Sequence, residues 1–195
     1  MIDNIELIKP FITFDDSGDD FYYLQLLQRR KEHTHAIKNS VVIKNYFIRS
    51  LDYLLKHYSS IKDICDYFNA RAMLRLNKRS FKKVAFRTLQ NITAQMMQED
   101  FMSARQAFDK ACGQCHNDKN KKWLVDIDVT DETARDMIVD VINKDCQPEG
   151  EKLITIMPSK NGCHLITSPF NMQQFKASCT DVSVHKDNPT NLYIP

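Results

Sequence analysis

The sequence predicts an α+β fold in which an N-terminal αβ module packs on a C-terminal unit of order β-α-β-β-α-β. Three observations predict it. Apolar runs of strand length recur through the second half, separated by stretches with helical spacing. The turn residues SKNG (159–162) join two of those runs into a hairpin. The first half mixes aromatic and β-branched runs with long segments whose leucine, isoleucine and tyrosine fall at helical intervals. We place the division at residue 110, with 1–110 as the αβ module carrying a basic helix and 111–195 as the second unit, together one compact domain. A chain of 195 residues can bury a core of that size.

In chain order, FYYLQLL (21–27) and VVIKNYFI (41–48) suit strands, although the first fits a helix equally well. Ser50 to Asn69 reads as a helix, and ARAMLRL (70–76) as a short strand leaving it. Ser80 caps a helix expected to run to about residue 110. Its spacing puts Arg79, Lys82, Lys83 and Arg87 on one side, and Phe81, Val84, Ala85, Leu89 and Ile92 on the other. WLVDIDV (123–129) is then a strand, and DETARDMIVDVINKD (131–145) a helix with acids in its first turn, where the helix dipole favours them. LITIMP (153–158) and CHLIT (163–167) form the hairpin, PFNMQQFKA (169–177) a short helix, and NLYIP (191–195) the last strand. That order is the ferredoxin-like, or RRM-like, unit, with its first and third strands adjacent in the middle of the sheet.

Composition excludes some classes. Hydrophobic residues make up 43% and charged residues 27%, as in ordinary globular proteins, and no apolar run approaches the roughly 20 residues of a membrane helix. We expect no membrane partner. MIDNIELIKP has neither a basic leader nor a long apolar run, and the six cysteines follow no repeating spacing, so reduced thiols and a cytoplasmic location are expected. With 27 basic and 25 acidic residues, net charge gives no global field to attract nucleic acid. Local charge differs: DDSGDD (15–20) is an acidic turn, whereas residues 71–87 carry seven basic side chains and no acid. Arg71, Arg75, Arg79, Lys82, Lys83 and Arg87 are the candidate nucleic-acid contacts, with a solvated helix face as the alternative.

The chemistry concentrates in the second half. Asp126 and Asp128, at i and i+2, share one strand face, while Val125, Ile127 and Val129 take the other. Paired carboxylates repel unless a cation lies between them, and hard oxygen ligands suit Mg²⁺ or Mn²⁺; two solvated acids on an open sheet face are the alternative. The neighbouring strand brings His164 beside them, after a turn containing Ser159, Lys160 and Gly162. A histidine so placed is either structural or, with the lysine and turn N–H groups, part of a triphosphate site.

These residues resemble the archaeo-eukaryotic primase superfamily, which includes the primase-polymerases. WLVDIDV matches its first motif, an apolar strand ending in Asp-x-Asp. SKNGCHLI matches the second, with Lys160, Gly162 and His164 at the family's Lys-x-Ser-x-His spacing and glycine where the family has serine. TDVSVHKDNPTNLYIP resembles the third, with Asp181 in the metal-ligand place and Asp187 as its competitor. The resemblance covers the second half and implies catalytic, two-metal Asp126, Asp128 and Asp181, with Ser159, Lys160, Gly162 and His164 on the nucleotide. It implies a template-directed nucleotidyltransferase acting on nucleoside triphosphates along a single-stranded DNA template or primer-template, with any helicase or replication partner a separate protein. Two alternatives stay open: a replication module that binds nucleic acid without chemistry, and a metal-dependent nuclease. ACGQCH (111–116) offers Cys112, Cys115 and His116 to zinc, weighed against chance cysteines in a helix-strand connection. We read His33 and His35 as surface residues.

Overall fold

A run of tyrosine, phenylalanine and leucine with little polar alternation marks a strand covered on both faces. In the computed structural model, which describes residues 1–32, 39–116, 120–128 and 131–195, that strand is β2 (Asp20–Gln28). Tyr22, Leu24 and Leu26 point into the main core, while Phe21 and Tyr23 point into a second cluster on the opposite face. β2 is antiparallel to β3 (Val41–Ile48) on one side and β4 (Arg71–Leu74) on the other. Its first residues also pair with the short β5 (Arg79–Ser80).

Helix α2 (Leu51–Phe68) supplies Leu54, Tyr58, Ile61 and Cys65 to the main core. Ser50 starts it by accepting from the Tyr53 N–H, and Asn69 ends it in the left-handed region at φ 45°. The other face of the sheet is covered by α3 (Phe81–Met97) and α4 (Ala107–Gln114), through Val84, Ala111 and Cys112. The single helix expected from Ser80 to residue 110 is therefore two. Glu99, at φ 57°, turns the chain after α3 and a 3₁₀ segment leads into α4. The expected faces of α3 also shift: Val84, Asn91 and Gln95 are buried, whereas Ala85 and Leu89 are exposed.

The second sheet has the ferredoxin-like order. It runs β7 (Leu153–Pro158), β8 (Cys163–Thr167), β6 (Trp123–Ile127), β9 (Ser183–His185), with every pair antiparallel. Helices α5 (Glu132–Asp140) and α6 (Met172–Ser178) lie on one face, where Trp123, Val125, Ile127 and Leu165 meet Ile142, Phe170 and Phe175. On the other face Leu124, Met157 and Ile166 join the main core of the first module. The acid-bearing face is thus not an open one: through Leu124, Met157 and Ile166 it packs on the first sheet.

The last strand differs from expectation. β10 (Thr190–Ile194) is not the fourth strand of the ferredoxin-like unit; it enters the first sheet between β4 and β1 (Ile2–Asp3), giving the order β1-β10-β4-β2-β3. The three-residue β9, too short to show a period, takes the fourth place. The chain start is held beside it: after β1 the one-turn helix α1 (Ile5–Ile8) follows, and between them Asn4 donates to the Asn191 and Pro158 carbonyls at 2.9 and 3.0 Å. The strand expected to reach residue 129 ends at Ile127; Val129, His33 and His35 lie outside the described residues. Among the described residues no helix is long and apolar enough to cross a membrane.

Candidate active site

Register decides which side chains meet. β6 and β8 pair Asp126 with His164, so both point to the face that turns toward the first sheet. Leu124, two residues earlier, is buried in the core, Asp126 is half-buried at the core's edge and Asp128 is exposed beyond it. Here the two modules separate into a cleft of about 580 Å³. Asp126, Asp128, His164, Ser159, Lys160 and Asn161 line it from the second sheet, and Arg29, Lys31, Glu32 and Arg71 from the first. The hairpin turn that presents Lys160 is closed by the Ser159 N–H donating to the Gly162 carbonyl at 2.9 Å.

His164 is held from behind. Its Nδ1 forms a hydrogen bond with Thr190 Oγ1 at 2.8 Å, and the same hydroxyl lies 3.5 Å from Met157 Sδ. Its Nε2 lies 3.5 Å from Asp126 Oδ1. Burial, with some help from the charge of Arg71, pushes the imidazole below its ordinary pKa and outweighs the pull of Asp126. Two carboxylates and an imidazole held near neutrality in one cleft are donors that suit a divalent metal.

The opposing wall is cationic and partly neutralised from within. Glu32, which the sequence reading did not single out, accepts from Nε and Nη2 of Arg71 and forms an ion pair with Lys160 at 3.2 Å. Burial raises the Glu32 carboxyl, but Arg71 and Lys160 together hold it below the usual carboxylate range. Arg29 and Lys31 form no ion pair with a described residue. The cleft therefore holds Asp126 and Asp128 with four cations, and Glu32 clasps two of these, Arg71 beside it and Lys160 from the other module.

Several expected residues lie elsewhere. Asp181 is exposed, in the loop before β9, and does not line the cleft; register places Ser183 opposite Asp126 instead. Asp187 is committed to structure. Its carboxylate accepts from Arg75 at 3.0 Å, from Arg79, and from Asn77 at 3.1 Å. This corrects the predicted cationic stripe. The Arg79 side chain is 0% exposed, Arg75 is paired, and Arg71 belongs to the cleft, so of the six cations only Lys82, Lys83 and Arg87 lie on the surface of α3. The Lys82 N–H donates to Asp19 at 3.0 Å. Lys83 and Arg87 line a second groove with Cys115 and His116. Cys112 instead packs in the cluster of Phe21 and Tyr23, and burial pushes its thiol up to about 12, so the three zinc candidates do not share a site. Gly162, expected on the nucleotide, closes the hairpin turn through its carbonyl and is not among the residues lining the cleft. Among the described residues no three histidine, cysteine, aspartate or glutamate side chains converge as a ready metal cage.

No protein-family model, curated protein or solved structure matches the chain.

Proposed function

We propose that the cleft binds a metal-bound nucleoside triphosphate and that the protein is a template-directed nucleotidyltransferase of the primase-polymerase type. The observation that carries this reading is that Asp126 and Asp128 share one cavity with Arg29, Lys31 and Arg71 of the first module and with Lys160 of their own hairpin. Acids alone would suit a cation and bases alone an anion; the two together suit a polyphosphate with its metal. Asp126 and Asp128, with His164 Nε2 behind them, would hold the divalent ion. Such an ion lowers the pKa of an attacking hydroxyl and offsets charge on the leaving pyrophosphate. Lys160 and Arg71 would take phosphate oxygens, with the guanidinium suited to bidentate contact. For that contact Glu32 must release them. Thr190 holds the His164 ring in place through its bond to Nδ1.

The test is nucleotide incorporation on a primed single strand with Mg²⁺ or Mn²⁺. Asp126→Asn, close to isosteric, is expected to abolish extension while leaving the thermal unfolding curve in place. Extension at the wild-type rate in that variant sinks the proposal. A second reading, a nucleic-acid-binding module without chemistry, is favoured by one observation: Asp181, the third acid of the motif, lies outside the cleft. Strand retardation without longer or shorter products would select it.

A further inference from the structure

The second groove lies on the far side of the first sheet from the cleft, because α3 and α4 cover the Phe21 and Tyr23 face whereas the ferredoxin-like sheet packs on the Tyr22 and Leu24 face. It has a volume of about 490 Å³ and runs between α3 and the end of α4. Its walls are tied by a hydrogen bond from Cys115 Sγ to the Lys83 carbonyl at 3.7 Å. Three cations reach it, Lys83 and Arg87 from α3 and Lys121 from the segment entering β6. Unlike Arg71, Arg75 and Arg79, none of the three forms an ion pair with a described carboxylate. Between them stands Phe86, 61% exposed on a helix whose Val84 is fully buried. Gln114 accepts from Asn91 at 3.1 Å through its oxygen, which leaves its amide N–H groups to donate beside Gln90.

We infer that this groove is an anchor for single-stranded nucleic acid, separate from the cleft. Cations at the walls suit a phosphate backbone, and the solvent-exposed aromatic ring beside them suits an unpaired base. Side-chain amides are the groups that meet base carbonyls and ring nitrogens. An acidic protein segment would use the cations but gain little from a lone exposed ring flanked by amides. A duplex would keep its bases stacked away from Phe86. The inference rests on the proposal that the substrate is nucleic acid, but places the strand at residues that take no part in the cleft. An anchor remote from the chemistry would hold the strand while its end is free to enter and leave the cleft.

The experiment is fluorescence anisotropy of the full chain with labelled oligothymidylate across a range of salt. Phe86→Ala is expected to weaken binding by about tenfold, the scale of losing one stacked base, whereas Phe86→Tyr keeps it. The double variant Lys83→Ala, Arg87→Ala is expected to reduce the slope of log affinity against log salt by roughly 1.4, as two lost phosphate contacts require. Asp126→Asn leaves strand affinity unchanged, so loss of incorporation in that variant tests the cleft and loss of anisotropy in the groove variants tests the anchor. Wild-type affinity in Phe86→Ala, an unaltered salt slope in the double variant, or duplex bound as tightly as single strand each overturns the inference. Because Phe86, Lys83 and Arg87 are exposed, these variants are expected to fold; matching far-ultraviolet spectra check it.

Discussion

Replacing Asp187 by alanine removes the counter-charge of a guanidinium that water cannot reach. Arg79 is 0% exposed at its side chain, and Asp187 is 9% exposed. After the change Arg79 would keep its bonds from Nε to the Cys112 carbonyl, at 3.0 Å, and from Nη1 to the Asn77 carbonyl, but would face no anion. Breaking one side of a buried pair costs about 3–5 kcal/mol, mostly for stranding the remaining charge. Arg75 softens this little, since its side chain is 21% exposed and can turn to solvent. We expect about 3 kcal/mol, a large part of the roughly 5–15 kcal/mol that holds a domain of this kind. Urea unfolding followed by tryptophan fluorescence measures it, because Trp123 begins β6 next to Lys122, whose N–H donates to Asn77 at 2.7 Å in the same network. The double variant Asp187→Leu, Arg79→Met is expected to recover most of the loss, since an apolar pair of similar volume avoids the desolvated charge. A loss below about 1 kcal/mol in Asp187→Ala would refute the reasoning, as would a double variant no better than the single one.

Two further outcomes are expected. Glu32→Gln removes the carboxylate that competes for Arg71 and Lys160; as Lys160 is 55% exposed and its pair weak, we expect triphosphate binding by calorimetry to tighten by about tenfold. Weaker binding would instead make Glu32 a ligand of the bound species. His164 has a folded pKa below its unfolded value near 6.5, so below that pH the unfolded chain binds the extra proton and the folded chain resists it. Stability is therefore level above about pH 6.5 and falls as pH drops from there to the folded pKa; in metal-free urea titrations His164→Gln should flatten that part of the curve, and an unchanged slope refutes the assignment.

The acid face and the hairpin were legible because their signals are local. A β-branched strand with two acids at i and i+2, a four-residue turn and a histidine in register lie within 45 positions of sequence, and pairing of Asp126 with His164 follows from the topology. Glu32 was illegible for the opposite reason. It stands in RRKEH, a polar stretch with no period, and its contact with Lys160 spans 128 positions. Arg79 misled because a basic residue beside a helix cap looks solvated; its partner is 108 positions away. The stripe on α3 was half right, since helical spacing fixes which residues share a face but not whether the neighbouring element covers it. Leu89 is exposed and Asn91 buried because α4 packs on one side, a tertiary choice that hydrophobicity on α3 alone does not encode.

The placement of β10 has a consequence for how the chain is made. Residues 190–194 separate β4 from β1, so during synthesis the first sheet waits for these residues to emerge, although β2, β3 and β4 can already pair. Until then Leu24, Leu26 and Leu74 lack part of their cover, and the edge of β4 presents unpaired N–H and C=O groups. The same late strand carries Thr190, which hydrogen-bonds His164 from across the sheet boundary. A nascent chain that lacks β10 thus cannot assemble the cleft: the step that closes the first sheet is also the step that positions the histidine, and binding competence arrives together with closure of that sheet.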